Sequence, residues 1–202
     1  MSLQIWGRRS VMVLSTLLMG TALPFLALAE TTAAPQVKFQ TSAGDFVVEV
    51  YPDKAPKTVE NFLQYVKDKQ YDGTIFHRVI ADFMVQGGGY DAKYAEKKTR
   101  PPVVHEGREA LAKGGPRNVN GTIAMARTND PNSASAQFFI NVKDNGFLDP
   151  SAQAPGYTVF GKVTSGMETI QKIRTTPTGS GGPFPSDVPK TPIVINSATL
   201  VK

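Results

Sequence analysis

The run Phe76-His77-Arg78-Val79-Ile80-Ala81-Asp82-Phe83-Met84-Val85-Gln86-Gly87-Gly88 constrains the chain more than any other. Large apolar residues gather around one arginine and one glutamine, and glycines close the segment. Further on, Ser135-Ala136-Gln137-Phe138-Phe139-Ile140 repeats the arrangement with Gln137 as the polar member. Neither run holds a nucleophile or a metal-ligating cluster. Short apolar runs bounded by turn residues read as strands with one face buried.

The rest of the chain extends this pattern. Val37 to Thr41 and Phe46 to Tyr51 are strand-like and joined around Ala43-Gly44-Asp45, which predicts a β-hairpin. Asp53 to Pro56 carries helix start signals, with proline tolerated in the first turn. Val59, Phe62, Leu63 and Val66 then fall at i, i+3, i+4 and i+7, so one helix face is apolar and should cap a core. Further strands are expected at Thr74 to Val79, Phe83 to Gln86, Thr122 to Ala126, Gln137 to Val142 and Thr158 to Val163. A second helix is expected from Met167 to Arg174, with Ile170 and Ile173 on its buried side. Many short strands with one helix near each end imply a mainly β protein, an antiparallel barrel plugged by helices. Residues 177–192 are rich in Gly and Pro and read as a surface loop, because the apolar segment Ile193 to Val201 beyond them is too short to stand alone and must return to the sheet.

Residues 1–29 read as a cleavable signal peptide rather than fold. Arg8 and Arg9 precede an uncharged stretch from Ser10 to Ala29, which ends in Ala27-Leu28-Ala29 before Glu30. An uncleaved membrane anchor is the competing reading, since the stretch is just long enough to span a bilayer. Pro24 and the small-residue site favour cleavage, and the residues after the paired arginines fit a twin-arginine signal only loosely, which favours general secretion. The expectation is a periplasmic protein with no stable membrane association after cleavage. Residues 30–35 form a short disordered lead, and residues 36–202 are long enough for one domain with a single core.

Without the leader, 20 basic residues stand against 17 acidic ones, a net charge of about +3. The lysines are scattered among carboxylates, so the pI near 9.4 does not signal nucleic-acid binding. The absence of cysteine excludes disulfides, thiol catalysis and a lipoprotein anchor, so an exported domain of this kind must rely on its core. His77 and His105 are the only histidines, too few for a zinc site without carboxylates, and no metal or cofactor is expected. His77 alternates away from Arg78, which suits a buried hydrogen bond better than titration in catalysis. The three glycines Gly87-Gly88-Gly89 precede no helix start or Lys-Ser/Thr, so a tight turn or bulge explains them rather than a phosphate loop. No Gly-x-Ser-x-Gly elbow accompanies Ser133 and Ser135.

The two core motifs, together with Gly121-Thr122-Ile123-Ala124-Met125-Ala126 and Val159-Phe160-Gly161-Lys162-Val163, resemble the cyclophilin family of peptidyl-prolyl cis/trans isomerases over nearly all of residues 36–202. The resemblance implies a closed, antiparallel, eight-stranded barrel capped by two helices, and an enzyme that accelerates rotation about X-Pro bonds in proline-containing, unfolded or extended polypeptides. Phe147 before Leu148-Asp149, where many eukaryotic members carry Trp, and Tyr157, where they carry a pocket histidine, look like the bacterial periplasmic branch. Since that Trp is the family's main cyclosporin contact, weak cyclosporin binding is expected.

Such rotation breaks no bond but must overcome amide resonance, a barrier of about 18–20 kcal/mol. A catalyst then needs a donor for the twisted amide, an apolar pocket for the proline ring and polar anchors for the flanking backbone. Arg78 is the permanent cation embedded in the apolar run. By composition alone it is equally a surface arginine with a packed stem; the family motif makes it the catalytic donor, with Gln86 beside it binding the substrate. Phe83, Met84 and Phe139 supply a pocket that Leu148 and Phe147 complete, with Tyr157 in the place of the pocket histidine. The resemblance places Phe139 in the pocket wall, Gln137 at its rim and the backbone of Ala126 and Arg127 against the residue preceding proline. Alternation puts Phe139 on the face opposite Phe138 and Ile140, which with Phe76 are core.

Two other classes compete. A holdase that kept the pocket but not turnover has no need of the arginine fork, and a carbohydrate-binding barrel is unsupported because the one Trp lies in the leader. No heptad or exposed apolar stripe follows the leader, so a monomer is expected.

Overall fold

A computed structural model describes residues 33–201, besides Met1 and Ser2. The expected signal peptide, Met1 and Ser2 apart, and residues 30–32 of the expected lead lie outside the described residues.

Ten strands and three α-helices follow one another along the described chain. β1 (Gln36–Thr41) and β2 (Gly44–Val50) form the first hairpin, α1 (Pro56–Lys67) follows, and β3 (Thr74–Ile80) and β4 (Met84–Asp91) form the second. After α2 (Gly107–Ala112) come β5 (Thr122–Met125), β6 (Phe138–Asn141) and β7 (Val159–Ser165). The chain ends with α3 (Met167–Arg174), β8 (Thr178–Gly181), β9 (Phe184–Pro189) and β10 (Ile195–Leu200). Eight strands make one antiparallel sheet in the order β10-β1-β2-β7-β5-β6-β4-β3. Its outer strands meet again: Ile75 bridges Val194, Gly73 N–H donates to Ile195 O at 2.8 Å and Phe76 N–H to Ile193 O at 3.0 Å. The expected mainly β, eight-stranded barrel is therefore present, nearly closed along that seam.

Period-two alternation fills it. Val37 and Phe39 of β1, Phe46, Val48 and Val50 of β2, Ile123 of β5, Phe138 and Ile140 of β6 and Phe160 of β7 all point into one continuous core. Phe39 stacks on Phe46 with ring centroids 4.8 Å apart, and Phe138 meets Phe39 at 5.5 Å. α1 closes one end as its apolar stripe predicts: Phe62 reaches Phe160 at 5.0 Å and Tyr71 at 5.5 Å, while Leu63 stays half-buried. On α3, Ile170 and Ile173 are fully buried.

Two expectations need correction. Among the described residues there are three α-helices rather than two, because α2 is a six-residue helix whose Gly-Arg-Glu-Ala-Leu-Ala sequence is too short to display an apolar period. Residues 177–192 are not a plain loop: β8 and β9 pair as a separate two-stranded sheet, and Val188 is buried. Proline is tolerated there because a two-stranded ribbon leaves outward N–H positions unpaired. The bulge reading of the three glycines holds: Phe76 pairs with Gly87 but Thr74 with Asp91, so β4 carries extra residues over Gly88, Gly89 and Tyr90. Gly88 has φ +86°, and a Cβ there would approach a Tyr71 ring carbon at 2.9 Å, so neighbouring rings occupy the space a side chain would take.

The start of α1 depends on a distant residue. Its N-cap, Ala55, offers no side-chain acceptor. The buried carboxylate of Glu106 accepts instead, from Lys57 N–H at 3.2 Å, Thr58 N–H at 2.8 Å and Thr58 Oγ1 at 2.7 Å. An anion at a helix N-terminus satisfies orphan donors and opposes the positive end of the helix dipole. Glu106→Ala strands those buried donors, and chemical denaturation should show a loss of about 2–3 kcal/mol of stability.

Candidate active site

An irregularity in β3 determines which way its arginine faces. Phe76 pairs with Gly87 and Arg78 with Gln86, so His77 is one residue too many for the ladder. Strict alternation would put Phe76 and Arg78 on the same face. The bulge changes the phase, so Phe76 lies in the barrel core, Arg78 is exposed outside and Val79 is again buried in the core.

Register then assembles the site. Arg78 pairs with Gln86, Gln86 with Phe139 and Phe139 with Ala124, so one row runs across β3, β4, β6 and β5. On the outer face a small apolar cluster forms, separate from the barrel core, from Met84, Ala124, Phe139, Leu148 and Val159, with Phe83, Ala126 and Tyr157 against it. Phe139 thus stands on the opposite side of the sheet from Phe138 and Ile140, as alternation requires. Above the cluster lies an open cleft of about 310 Å³. Arg78, Gln86 and Arg127 are its polar lining, and Phe83, Met84, Ala126, Phe139, Leu148 and Tyr157 the rest.

Two residues fall beside the cleft rather than in its lining. Gln137 faces the neighbouring depressions and accepts from Gln86 Nε2 at 3.0 Å. It has room because residue 89 is glycine: a Cβ there would lie 2.6 Å from the Gln137 side chain. Phe147 is 73% exposed and stacks on Phe83 at 5.6 Å, so it extends the rim instead of completing the pocket. A short helical turn over Gly146–Leu148 buries Leu148 and turns Phe147 outward.

The polar equipment suits an extended chain lying across the cleft. Among the described residues, no hydrogen bond or ion pair engages the Arg78 guanidinium, which leaves its fork of donors for a ligand. The Ala126 amide donates to Gln137 O at 3.0 Å, while the Ala126 carbonyl and the Arg127 amide have no partner among the described residues and can pair with another strand. Tyr157 is wedged edge-on against Phe139 at 5.5 Å, with the Arg127 guanidinium 4.5 Å over its ring.

Behind the cleft runs a buried polar chain that sequence reasoning missed. Asn145 is fully buried; its Nδ2 donates to Phe83 O and to Asn141 Oδ1, both at 2.8 Å, and its backbone carbonyl accepts from Leu148 N–H at 2.8 Å, while its Oδ1 has no partner among the described residues. It ties the Phe83 and Leu148 segments, both in the cleft lining, to each other. Asn141 Nδ2 continues to Thr122 Oγ1 at 3.0 Å. Asp149 accepts from Asn118 N–H and Nδ2 and from Arg117 Nη1, at 2.8, 3.0 and 3.1 Å. Burial alone would raise the Asp149 carboxyl, but the Asn118 and Arg117 donors outweigh it and hold it below the usual carboxylate range. The visible signal was the spacing of Asn141, Asn145 and Asp149, which share no motif until the fold brings them to one wall.

His77 differs from expectation in part. It is buried, but its Nδ1 has no hydrogen-bond partner within the described structure. The ring packs on Tyr90 at 4.8 Å and on Phe184 of β9 at 5.4 Å. Burial pushes its pKa down to about 4, with the nearby Ile75 carbonyl and Gln137 opposing and the Arg78 charge adding to the fall.

With this geometry in view, comparison with known proteins is decisive. The profile of the family described as cyclophilin type peptidyl-prolyl cis-trans isomerase matches residues 36–200. The chain belongs to the cyclophilins. A peptidyl-prolyl cis-trans isomerase of Streptomyces antibioticus is 52% identical over 168 residues, covering 82% of this chain and 98% of the relative. Peptidyl-prolyl cis-trans isomerase A of Dickeya dadantii is 49% identical, covering 87% and 89%, and isomerase B of Escherichia coli K12 is 47% identical, covering 81% and 98%. In three dimensions the chain superposes on a Cryptosporidium parvum cyclophilin crystallised in the presence of the dipeptide Ala-Pro, with a TM-score of 0.66, 25% identity and coverage of 83% and 99%. The cyclophilin reading of the two motifs thus holds, and the activity of the chain is peptidyl-prolyl isomerisation.

A histidine whose folded-state pKa lies below its ordinary value of about 6.5 stabilises the fold fully only above that value; the contribution is lost as pH falls toward 4. The shift of His77 corresponds to about 3 kcal/mol. Denaturation of wild type and His77→Gln at pH 7 and pH 4 should show their stability difference moving in favour of the variant by about that amount.

Proposed function

We propose that this cyclophilin accelerates X-Pro rotation in exported, partly unfolded polypeptides, assisting their folding in the periplasm after a signal peptide over residues 1–29 is removed, and that it acts as a monomer. The charged, apolar and small-residue order of that leader supports export. Proline isomerisation takes tens to hundreds of seconds unaided, slow enough to limit folding, and needs no energy source when catalysed.

The observation that carries the site assignment is the row Arg78–Gln86–Phe139 on the outer face, an uncommitted guanidinium beside an apolar cleft. The proline ring enters the cleft among Phe83, Met84, Phe139, Leu148 and Tyr157. The Ala126 carbonyl and Arg127 amide pair with the residue before proline, and Gln86, steadied by Gln137, binds the substrate backbone beside Arg78. As the bond twists, the prolyl nitrogen loses conjugation and becomes pyramidal and basic. A hydrogen bond from Arg78 to that nitrogen is then stronger in the transition state than in the ground state, which is the condition for a rate gain. The side chain makes no covalent bond and transfers no proton. The Ala-Pro dipeptide used with the Cryptosporidium parvum protein is the kind of ligand this cleft accepts.

Exchange NMR on a short proline peptide, with residues 30–202 of wild type and of Arg78→Ala, tests the assignment. Fast exchange with wild type and a loss of roughly a hundredfold in a variant that keeps its circular dichroism spectrum is expected. Peptide binding by wild type without accelerated exchange would make the cleft a capture site instead. Cyclosporin should inhibit weakly, because Phe147 turns outward onto Phe83 and offers no indole at the rim; an inhibition constant below micromolar would contradict this.

A further inference from the structure

One wall of the cleft is seated by the Tyr157 amide, which donates to Leu148 O at 3.0 Å, and by the carbonyl just before it. Gly156 O accepts from Arg127 Nε at 3.1 Å, from Arg127 Nη2 at 2.8 Å and from His105 Nε2 at 3.2 Å. The residue that follows is Tyr157, whose ring Arg127 covers and whose edge meets Phe139. Gly156 is buried with φ +68°, and a Cβ there would collide with the Pro150 nitrogen, so the segment has one tight seat.

His105 is held from three sides. Its amide donates to Asn132 Oδ1 at 2.9 Å, and its Nδ1 accepts from Gly107 N–H at 3.3 Å. A neutral imidazole has one donor and one acceptor nitrogen, so the Gly107 amide assigns the proton to Nε2 and aims it at Gly156 O. Among the described residues His105 is not part of the cleft lining; its effect passes through Gly156 to Tyr157.

We infer that His105 is a positioning residue of this isomerase, whose neutral ring seats the Gly156–Tyr157 wall and thereby sets the affinity for proline-bearing chains. The inference rests on the cleft being the substrate site. Protonation would undo the arrangement, because it places a second donor on Nδ1 opposite the Gly107 N–H. It would also bring a positive charge toward Arg127 and Arg108, with the Glu106 carboxylate, already engaged by α1, the one opposing charge among the groups that act on the ring. Burial foremost, then the two arginines, keeps His105 neutral below the usual histidine range, while the Gly156 carbonyl and Glu106 pull the other way. The wall should therefore hold at neutral pH and loosen in acid, through KM rather than kcat, since Arg78 does not touch this network.

The test measures KM and kcat for a neutral proline peptide by exchange NMR between pH 7.5 and 5, for wild type, His105→Ala and His105→Gln. His105→Ala should raise KM roughly threefold to tenfold at pH 7.5 with little change in kcat, and His105→Gln, whose amide can still donate to Gly156 O, should recover part of it. In wild type KM should rise in acid with the same midpoint as the His105 ring followed by NMR, and both variants should lack that rise. A wild-type KM and wild-type pH profile in His105→Ala would overturn the inference. Should His105→Ala fail to fold, coincidence or mismatch of the two wild-type midpoints decides. If wild type shows no catalysis, the isomerase assignment of the cleft fails; the Tyr157 ring resonances then judge His105 separately, and unchanged shifts in His105→Gln and across the acid titration would overturn its positioning role.

Discussion

One inserted residue in β3 governs the chemistry of this barrel. Arg78 belongs to a strand whose inward residues build the core, and two positions from Phe76 its side chain would enter that core without the bulge at His77. An unpaired guanidinium in an apolar barrel is costly, and outside it the same group is free to act. The bulge converts one outcome into the other. Its cost is visible in His77, buried with an unpartnered Nδ1 and held neutral, and its support comes from Tyr90 and from Phe184 on the β8–β9 ribbon. The Gly/Pro-rich segment therefore packs, through Phe184, on the bulge that orients the arginine.

The second constraint is geometric. Isomerisation has no covalent step, so rate depends on how accurately a donor, an apolar clamp and a backbone partner are arranged. Three components of the row stand on rigid strands, in direct register. Phe83, Leu148 and Tyr157 sit on connecting segments, where positions must be imposed by other contacts. Asn145 links Phe83 to Leu148, Asp149 anchors the segment after Leu148 on Asn118, and the Gly156 carbonyl seats Tyr157. Buried and nearly fully bonded polar networks of this kind fix one arrangement where apolar packing alone would allow several.

Much of the fold was legible because period-two alternation in β1, β2, β6 and β7 and period 3.6 in α1 and α3 are local patterns with a direct structural meaning. Phe139 could be separated from Phe138 and Ile140 on that basis alone. The pairing order of the barrel, α2 and the β8–β9 ribbon could not, since each depends on contacts remote in sequence: Glu106 with α1, Phe184 with His77. Phe147 shows the same limit, because a residue inside a motif was turned outward by a short helical turn that its sequence does not announce.

The sequence by itself determined which residues could do the chemistry: an arginine in an apolar run, a glutamine before glycines, a Phe-Phe pair with opposite faces, and a cysteine-free chain obliged to build a core. Only the tertiary structure decided where they went. A one-residue change of phase carried Arg78 to the outer face, cross-strand register put Gln86 and Phe139 beside it, and remote hydrogen bonds made by Asn145 and His105 and accepted by Asp149 shaped the walls. The physical reason is that side-chain identity and local period are written residue by residue, whereas register, bulges and loop seating are set by the free energy of contacts between segments far apart in the chain.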